Sequence, residues 1–348
     1  MSDFGKNGRF MQDALNTFDN QQLINFFQDI GVETVCKDGF RVFPSSHNSE
    51  TIITALESKL KELNIEILCS TKVEDIIVTN QIVTAVKTSD KTYQTTKILL
   101  ATGGLGYPAL GTTGDGHKIV TKLGHSVTSL YPAMMPLTTK ETWVKNCTAN
   151  TIAKVKIKID IKKYKKIQAT GDLIFTTSGI KGPVILDFAR EITPLFDTYD
   201  EVPLLLNFTN GLNEEQITVH IKEQTSKHTN NTILEHLTTL VPTTLGIELC
   251  NLAQINPTDK FNTILGSKKL NLIQLLAWTP LTIINKNSFD KAMITRGGIN
   301  LKEINPKTME SKLISGLYFG GEIVNLDGPC GGYNLQWSFS SGYLASLN

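Results

Sequence analysis

Two neighbouring stretches near the C-terminus decide how the rest of the chain is read: Gly316-Leu317-Tyr318-Phe319-Gly320-Gly321-Glu322 and Asp327-Gly328-Pro329-Cys330-Gly331-Gly332-Tyr333-Asn334. The first is an apolar run ending in two glycines and a carboxylate. A short apolar run bounded by glycine fits a strand buried on both faces. The second is a glycine turn, and residues 333–347 continue it as a closing helix. A strand tip and a helix mouth opening on one crevice suit a single task. The Glu322 carboxylate can accept a hydrogen bond from a ligand hydroxyl, and the free N–H groups of the helix mouth can carry negative charge that develops on a ring.

Working outward, a second apolar run precedes another glycine cluster. Lys97-Ile98-Leu99-Leu100-Ala101-Thr102 reads as a strand buried on both faces and leads into Gly103-Gly104-Leu105-Gly106-Tyr107-Pro108. Glycines there let the backbone pass close to a planar or phosphorylated ligand. Alone, the cluster reads equally well as a tight strand-exit turn. Gly111-Thr112-Thr113-Gly114-Asp115-Gly116 opens a predicted helix over 116–124, and a plain Asp cap with a glycine-rich turn is its preferred reading over an anion site. Upstream, the spacing predicts two helices within 11–31, with Asp19-Asn20 as a cap and Gly31 as a stop, and a third over about 50–63. Ile65–Cys69, Val73–Val78, Ile82–Lys87 and Thr92–Gln94 read as short strands of an antiparallel meander.

From about residue 131 the texture changes. Val155, Ile157, Ile159 and Ile161 alternate with Lys156, Lys158, Asp160 and Lys162, a period-two strand with one wet face. Further strands are predicted at Asp172–Thr176, Val184–Phe188 and Leu204–Phe208, and helices within 212–275. The expected division is 1–130 and 291–348 for the outer domain, with 131–211 and 276–290 as a β-rich insert enclosing a helical insert at 212–275.

Composition narrows the function. The chain has 348 residues, enough for two or three domains and a large ligand, and 34 basic residues nearly cancel 33 acidic ones. No wholesale attraction to nucleic acid or an anionic membrane follows. No apolar run approaches the roughly 18 residues that span a bilayer. Cys36, Cys69, Cys147, Cys250 and Cys330 are too scattered for a metal site and read as free thiols in a reducing cytoplasm. The lysine-rich run at 154–166 reads as the wet face of a strand. Cys330 reads as an unreactive, partly buried thiol, and His117 and His125 as surface or capping residues. Trp143, Trp278 and Trp337 read as core or junction residues.

Several separated motifs, in order, resemble one family. Lys291-Ala292-Met293-Ile294-Thr295-Arg296-Gly297-Gly298-Ile299, Asn305-Pro306-Lys307-Thr308-Met309-Glu310-Ser311-Lys312, Gly316–Glu322 and Asp327–Ser341 are similar to the C-terminal half of BaiN-like, or aminoacetone-oxidase-type, NAD(P)/FAD-dependent oxidoreductases. Ala101–Gly116, Phe175–Pro183 and Arg41-Val42-Phe43-Pro44 resemble further segments of that family, and the likeness runs from about Gly5 to the end. It implies an α/β fold: a glutathione-reductase-like FAD-binding domain interrupted by a β-barrel-like and a helical domain. It implies FAD as cofactor, with NAD(P)H as the candidate electron donor and a small-molecule substrate. It places Val73 near the adenine, Ala101, Thr102, Gly103 and Gly104 along the dinucleotide, Gly321 and Glu322 at the ribityl-phosphate region, and Gly331, Gly332, Tyr333 and Asn334 at the isoalloxazine. No side chain is assigned as a catalytic acid or base.

One segment departs from that pattern. The family opens with a strand, a G-x-G-x-x-G turn and a helix, the unit that grips a pyrophosphate. This chain has no such turn, and the opening it lacks is roughly 30 residues or more. The expectation is an N-terminally truncated fold that holds FAD weakly or not at all. The chain is then either a flavoprotein oxidoreductase or, alternatively, a non-catalytic remnant or one half of a split flavoprotein needing a separate N-terminal segment.

Overall fold

The computed structural model describes residues 2–148, 150–284 and 289–348, so residues 285–288 of the expected 276–290 return segment lie outside it. The chain divides into two compact units, residues 1–130 with 294–348, and residues 131–293.

In residues 131–293, six strands form one antiparallel sheet. Its order is Thr279–Ile283, Val202–Asn207, Thr151–Ile159, Gln168–Thr176, Gly179–Lys181 and Leu137–Thr138. The predicted alternation is visible in the burial: Val155, Ile157 and Ile159 are fully buried, while Lys156 is exposed. Helices Glu214–Lys227, Ile233–Leu237, Thr243–Leu252 and Gly266–Ala277 share one continuous apolar core with this sheet. Asn213 and Gln216 close a capping box on the first of these helices, and Thr232 and Glu235 close another on the second.

The run Val184–Phe188, expected as a strand, is helical within Pro183–Ile192. Gly182 turns the chain at φ 110, and Pro183 takes the first helical position, where a missing N–H costs nothing. Ile185, Phe188, Ala189 and Ile192 then share a buried face.

The other unit is looser. Helices Gln12–Thr17 and Asn20–Asp29 flank Asp19, which caps the second through a box with Gln22, and Gly31 at φ 86 ends it. Val73–Thr79, Ile82–Thr88 and Thr92–Gln94 form a three-stranded antiparallel meander. Leu317–Phe319 lies parallel to Ile98–Leu100 on one side and bonds to Met309 and Ser311 on the other. It is therefore buried throughout. The closing helix Tyr333–Ser346 packs on Gln12–Thr17 and on Gly321–Ile323.

Two expectations fail in this unit, for one reason. Lys97–Thr102 is not buried on both faces. Only Ile98–Leu100 is strand, Leu99 is 44% exposed, and Ala101 and Thr102 are exposed. Ile65–Cys69 forms no strand, and Ile65, Ile67 and Leu68 stand in water. Among the described residues neither segment has a strand along its free edge, so the backbone groups of Ile65–Cys69 find no ladder.

Candidate functional site

The strand Leu317–Phe319 ends at Gly320, and Gly321 turns sharply at φ 74. The closing helix clamps this tip from one side. The Gly321 N–H donates to Ser341 Oγ at 2.9 Å, and the Trp337 indole Nε1–H donates to the Gly321 carbonyl at 3.0 Å. Trp337 is 1% exposed, so this indole bond sits where an unpaired donor would be costly. The tryptophan expected in a core or junction is therefore the anchor of the tip.

Gly332, at φ 92, opens the closing helix with no side-chain cap, and nothing lies within 4 Å of where its Cβ would stand. A helix start carries partial positive charge, which favours negative charge at the mouth. Asn334 holds the preceding turn in shape. Its Oδ1 accepts from the Gly328 N–H at 2.8 Å and its Nδ2 donates to the Gly328 carbonyl at 3.0 Å. Tyr333 packs edge-on to Phe4 and tilted against Phe40, and Phe40 also borders Gly331.

On the other flank, Glu322 turns inward. Its Oε1 accepts from the Thr295 N–H at 2.8 Å. Burial pushes its carboxyl above the ordinary range and nearby Asp327 adds to this, while hydrogen bonds from the Thr295 N–H and hydroxyl pull it back. Thr295 Oγ1 accepts from the Leu105 N–H at 2.7 Å, which fastens the Gly103–Gly106 turn to the same point. Gly104 has to be glycine here for space: a Cβ would fall 2.2 Å from Thr295 Oγ1 and 2.3 Å from Glu322 Oε1.

Helix Asp115–Lys122 closes the remaining side. A Cβ on Gly116 would lie 2.0 Å from Thr102 Oγ1, and His117 Nε2 meets the Ile323 carbonyl at 3.1 Å. Asp115 is bound by Lys72, Thr113 and Lys118, which hold its carboxyl well below the usual range. Lys72 in turn precedes Val73, the half-buried first residue of the meander. Val73 itself packs, half-buried, against the apolar core that includes Ile119 and Ile323.

Gly103, Gly104, Gly321 and Glu322 are therefore brought together around Thr295, with Ala101 and Thr102 at the exposed approach. Gly331, Gly332, Tyr333 and Asn334 form the helix mouth, joined to the tip through Trp337. The expectation for the two histidines is corrected. His117 and His125 are buried, and burial depresses the basicity of both. His125 bridges Glu303 and Ser311 at 3.1 and 2.9 Å and packs edge-on to Phe319. Thr295 escaped sequence reasoning because a lone threonine in a strand has no distinctive spacing. Its only signal was its place ahead of Arg296-Gly297-Gly298.

The helix start at Gly332, clamped beside the Gly320–Glu322 tip by Trp337, carries the partial positive charge that the electron-rich edge of a flavin ring would meet. Among the described residues no cluster of His, Cys, Asp and Glu could hold a metal ion, and no helix is long and apolar enough to cross a membrane. Two surface depressions, one lined by Val32, Thr51 and Ala55 and one by Val78, Leu123 and Ile314, include no residue of the tip or the glycine turn.

Comparison with known proteins agrees with the resemblance noted above. The family described as HI0933-like protein Rossmann domain matches residues 1–348. The 3-dehydro-bile acid delta(4,6)-reductase of Clostridium scindens is 27% identical over 342 residues, 98% of this chain and 83% of that protein. The ribosomal RNA dihydrouridine synthase of Haemophilus influenzae is 29% identical over 346 residues, 99% of this chain and 83% of that protein. Among solved structures, Mycobacterium smegmatis Sdh1 in complex with UQ1 gives a TM-score of 0.42 at 15% identity, over 99% of this chain and 57% of that one.

Proposed function

The chain belongs to the HI0933-like Rossmann family, and from that premise we propose that it is an FAD-dependent oxidoreductase adding hydrogen across a carbon–carbon double bond conjugated to a carbonyl. The observation that carries the reading is the helix start at Gly332, clamped by Trp337 to the Gly320–Glu322 tip. When bound, FAD supplies the hydride transfer, with NAD(P)H as electron donor. The protein's part is orientation and charge. The N–H groups at Gly332–Asn334 favour negative charge at one edge of the ring. Trp337 and Ser341 fix the tip, and the Gly103–Gly106 turn lets the cofactor pass close to the backbone.

The substrate class draws support from the two curated relatives. A bile acid with a 3-oxo group and delta(4,6) unsaturation, and the uracil ring of uridine, share one feature: a double bond conjugated to a carbonyl. We propose a small molecule of this type, since the near-neutral net charge implies no wholesale attraction to nucleic acid. The five free cysteines support a cytoplasmic setting. The test is anaerobic NADPH consumption by the FAD-loaded chain with a 3-oxo-Δ4 steroid, free uridine or a uridine-containing RNA oligonucleotide. Consumption with a small enone supports the reading, consumption with the oligonucleotide alone moves the substrate to RNA, and none with any of them overturns it.

A second reading is favoured by Ile98–Leu100, which has one open edge among the described residues, and by Ile65–Cys69, which among them pairs with no strand. In it the chain alone holds FAD weakly or not at all, as a non-catalytic remnant or as one half of a split flavoprotein whose other piece supplies a strand and a phosphate-binding turn. A thermal-shift titration separates the two. Binding to the native state alone stabilises by about 2.7 kcal/mol at a hundredfold excess over Kd. A large shift at low micromolar FAD excludes the second reading, and no shift favours it.

A further inference from the structure

We propose that Thr295 is a positioning residue, locking the Gly103–Leu105 turn to the Glu322 carboxyl so that turn and carboxyl keep one fixed relation. The proposal stands on geometry within one unit; its consequence for the cofactor rests on the flavoprotein reading above. Thr295 is 1% exposed in the short strand Ile294–Arg296. A hydroxyl has one hydrogen to donate and two lone pairs to accept with. Here Oγ1 accepts from the Leu105 N–H at 2.7 Å, which leaves its own hydrogen for the Glu322 carboxylate. The Thr295 backbone N–H gives that carboxylate a second bond at 2.8 Å. One residue thus joins three elements: the turn after Ile98–Leu100, its own strand, and the tip after Leu317–Phe319.

The close approach of Gly104 shows how little slack remains. Its missing Cβ would collide with Thr295 Oγ1 and Glu322 Oε1 together. A threonine that only filled space could be replaced by valine, its apolar isostere. A threonine that positions needs the hydroxyl. Glu322 also feels Asp327 from the loop after the tip, and His117 bonds the carbonyl of the next residue, Ile323, from helix Asp115–Lys122. Removing the Thr295 hydroxyl leaves burial and Asp327 less opposed, so Glu322 holds its proton to higher pH.

The experiment is an NMR pH titration of the full chain carrying 13C-labelled glutamate, with E322Q to assign the signal. In T295V the Glu322 carboxyl should titrate at higher pH than in the wild type, and T295S should restore the wild-type midpoint. T295A gives the same readout should T295V fail to fold. An unchanged midpoint in the hydroxyl-free variant overturns the proposal. In parallel, FAD affinity followed by flavin fluorescence should fall about tenfold in T295V and recover in T295S, the worth of one lost hydrogen bond to a charged group. Absence of FAD binding by the wild type would favour the second reading above instead, and the carboxyl titration would still decide the role of Thr295.

Discussion

Ile157 and Ile67 sit in similar local sequence. Each is an isoleucine in an alternating stretch with charge nearby, Lys156-Ile157-Lys158 and Ile65-Glu66-Ile67. Ile157 is fully buried between paired strands, while Ile67 is 52% exposed with no ladder beside it. The contrast extends to the units that contain them. Residues 131–293 gather sheet and helices around one core. The other unit has a smaller core and leaves Ile53, Leu63, Ile65, Leu68 and Leu99 in water. Its helix Ser49–Glu62 has an apolar stripe yet buries none of its residues. Alternation therefore marks a residue as able to be buried; a paired neighbour decides whether it is.

The largest effect that could break this comparison lies in the sheet. F175A, at a site 1% exposed, should cost about 3–5 kcal/mol in urea denaturation. A loss no greater than that of a surface substitution would mean this core is not close-packed. Thiol chemistry sharpens the contrast next. Cys36 and Cys69 are exposed in one unit, whereas burial pushes Cys147 up to about 11 and Cys250 up to about 12 in the other. Alkylation of the native protein near neutral pH, mapped by mass spectrometry, should modify the exposed pair at least about a hundredfold faster. Equal rates would place both units on the same footing. The smallest effect is expected at Ile67, where I67S should stay within about 0.5 kcal/mol of the wild type. A loss comparable to F175A would show that Ile67 is covered in solution.

What could be read in advance follows the same division. The Asp19 cap, the Gly31 stop and the Val155–Ile159 alternation are local devices, so residue types alone exposed them. The tip and the closing helix were legible because glycine, carboxylate and a helix start follow one another within twenty residues. Val184–Phe188 misled because a short apolar run suits strand and buried helix equally, and the decision lay in Gly182 and Pro183 ahead of it. The burial of His117 and His125, like the role of Thr295, depends on partners more than a hundred residues away, at Ile323, Ser311 and Leu105. No spacing rule reaches that far.

The indole clamped to Gly321 also makes the molecule its own optical gauge. Trp337 is one of only three tryptophans, and its Nε1–H is committed to the tip carbonyl in a dry setting. Any event that lifts the tip off the closing helix must release that donor to water, and the emission of this residue would move to the red. With Trp143 and Trp278 replaced by phenylalanine, a fluorometer could follow the tip in real time with no dye attached.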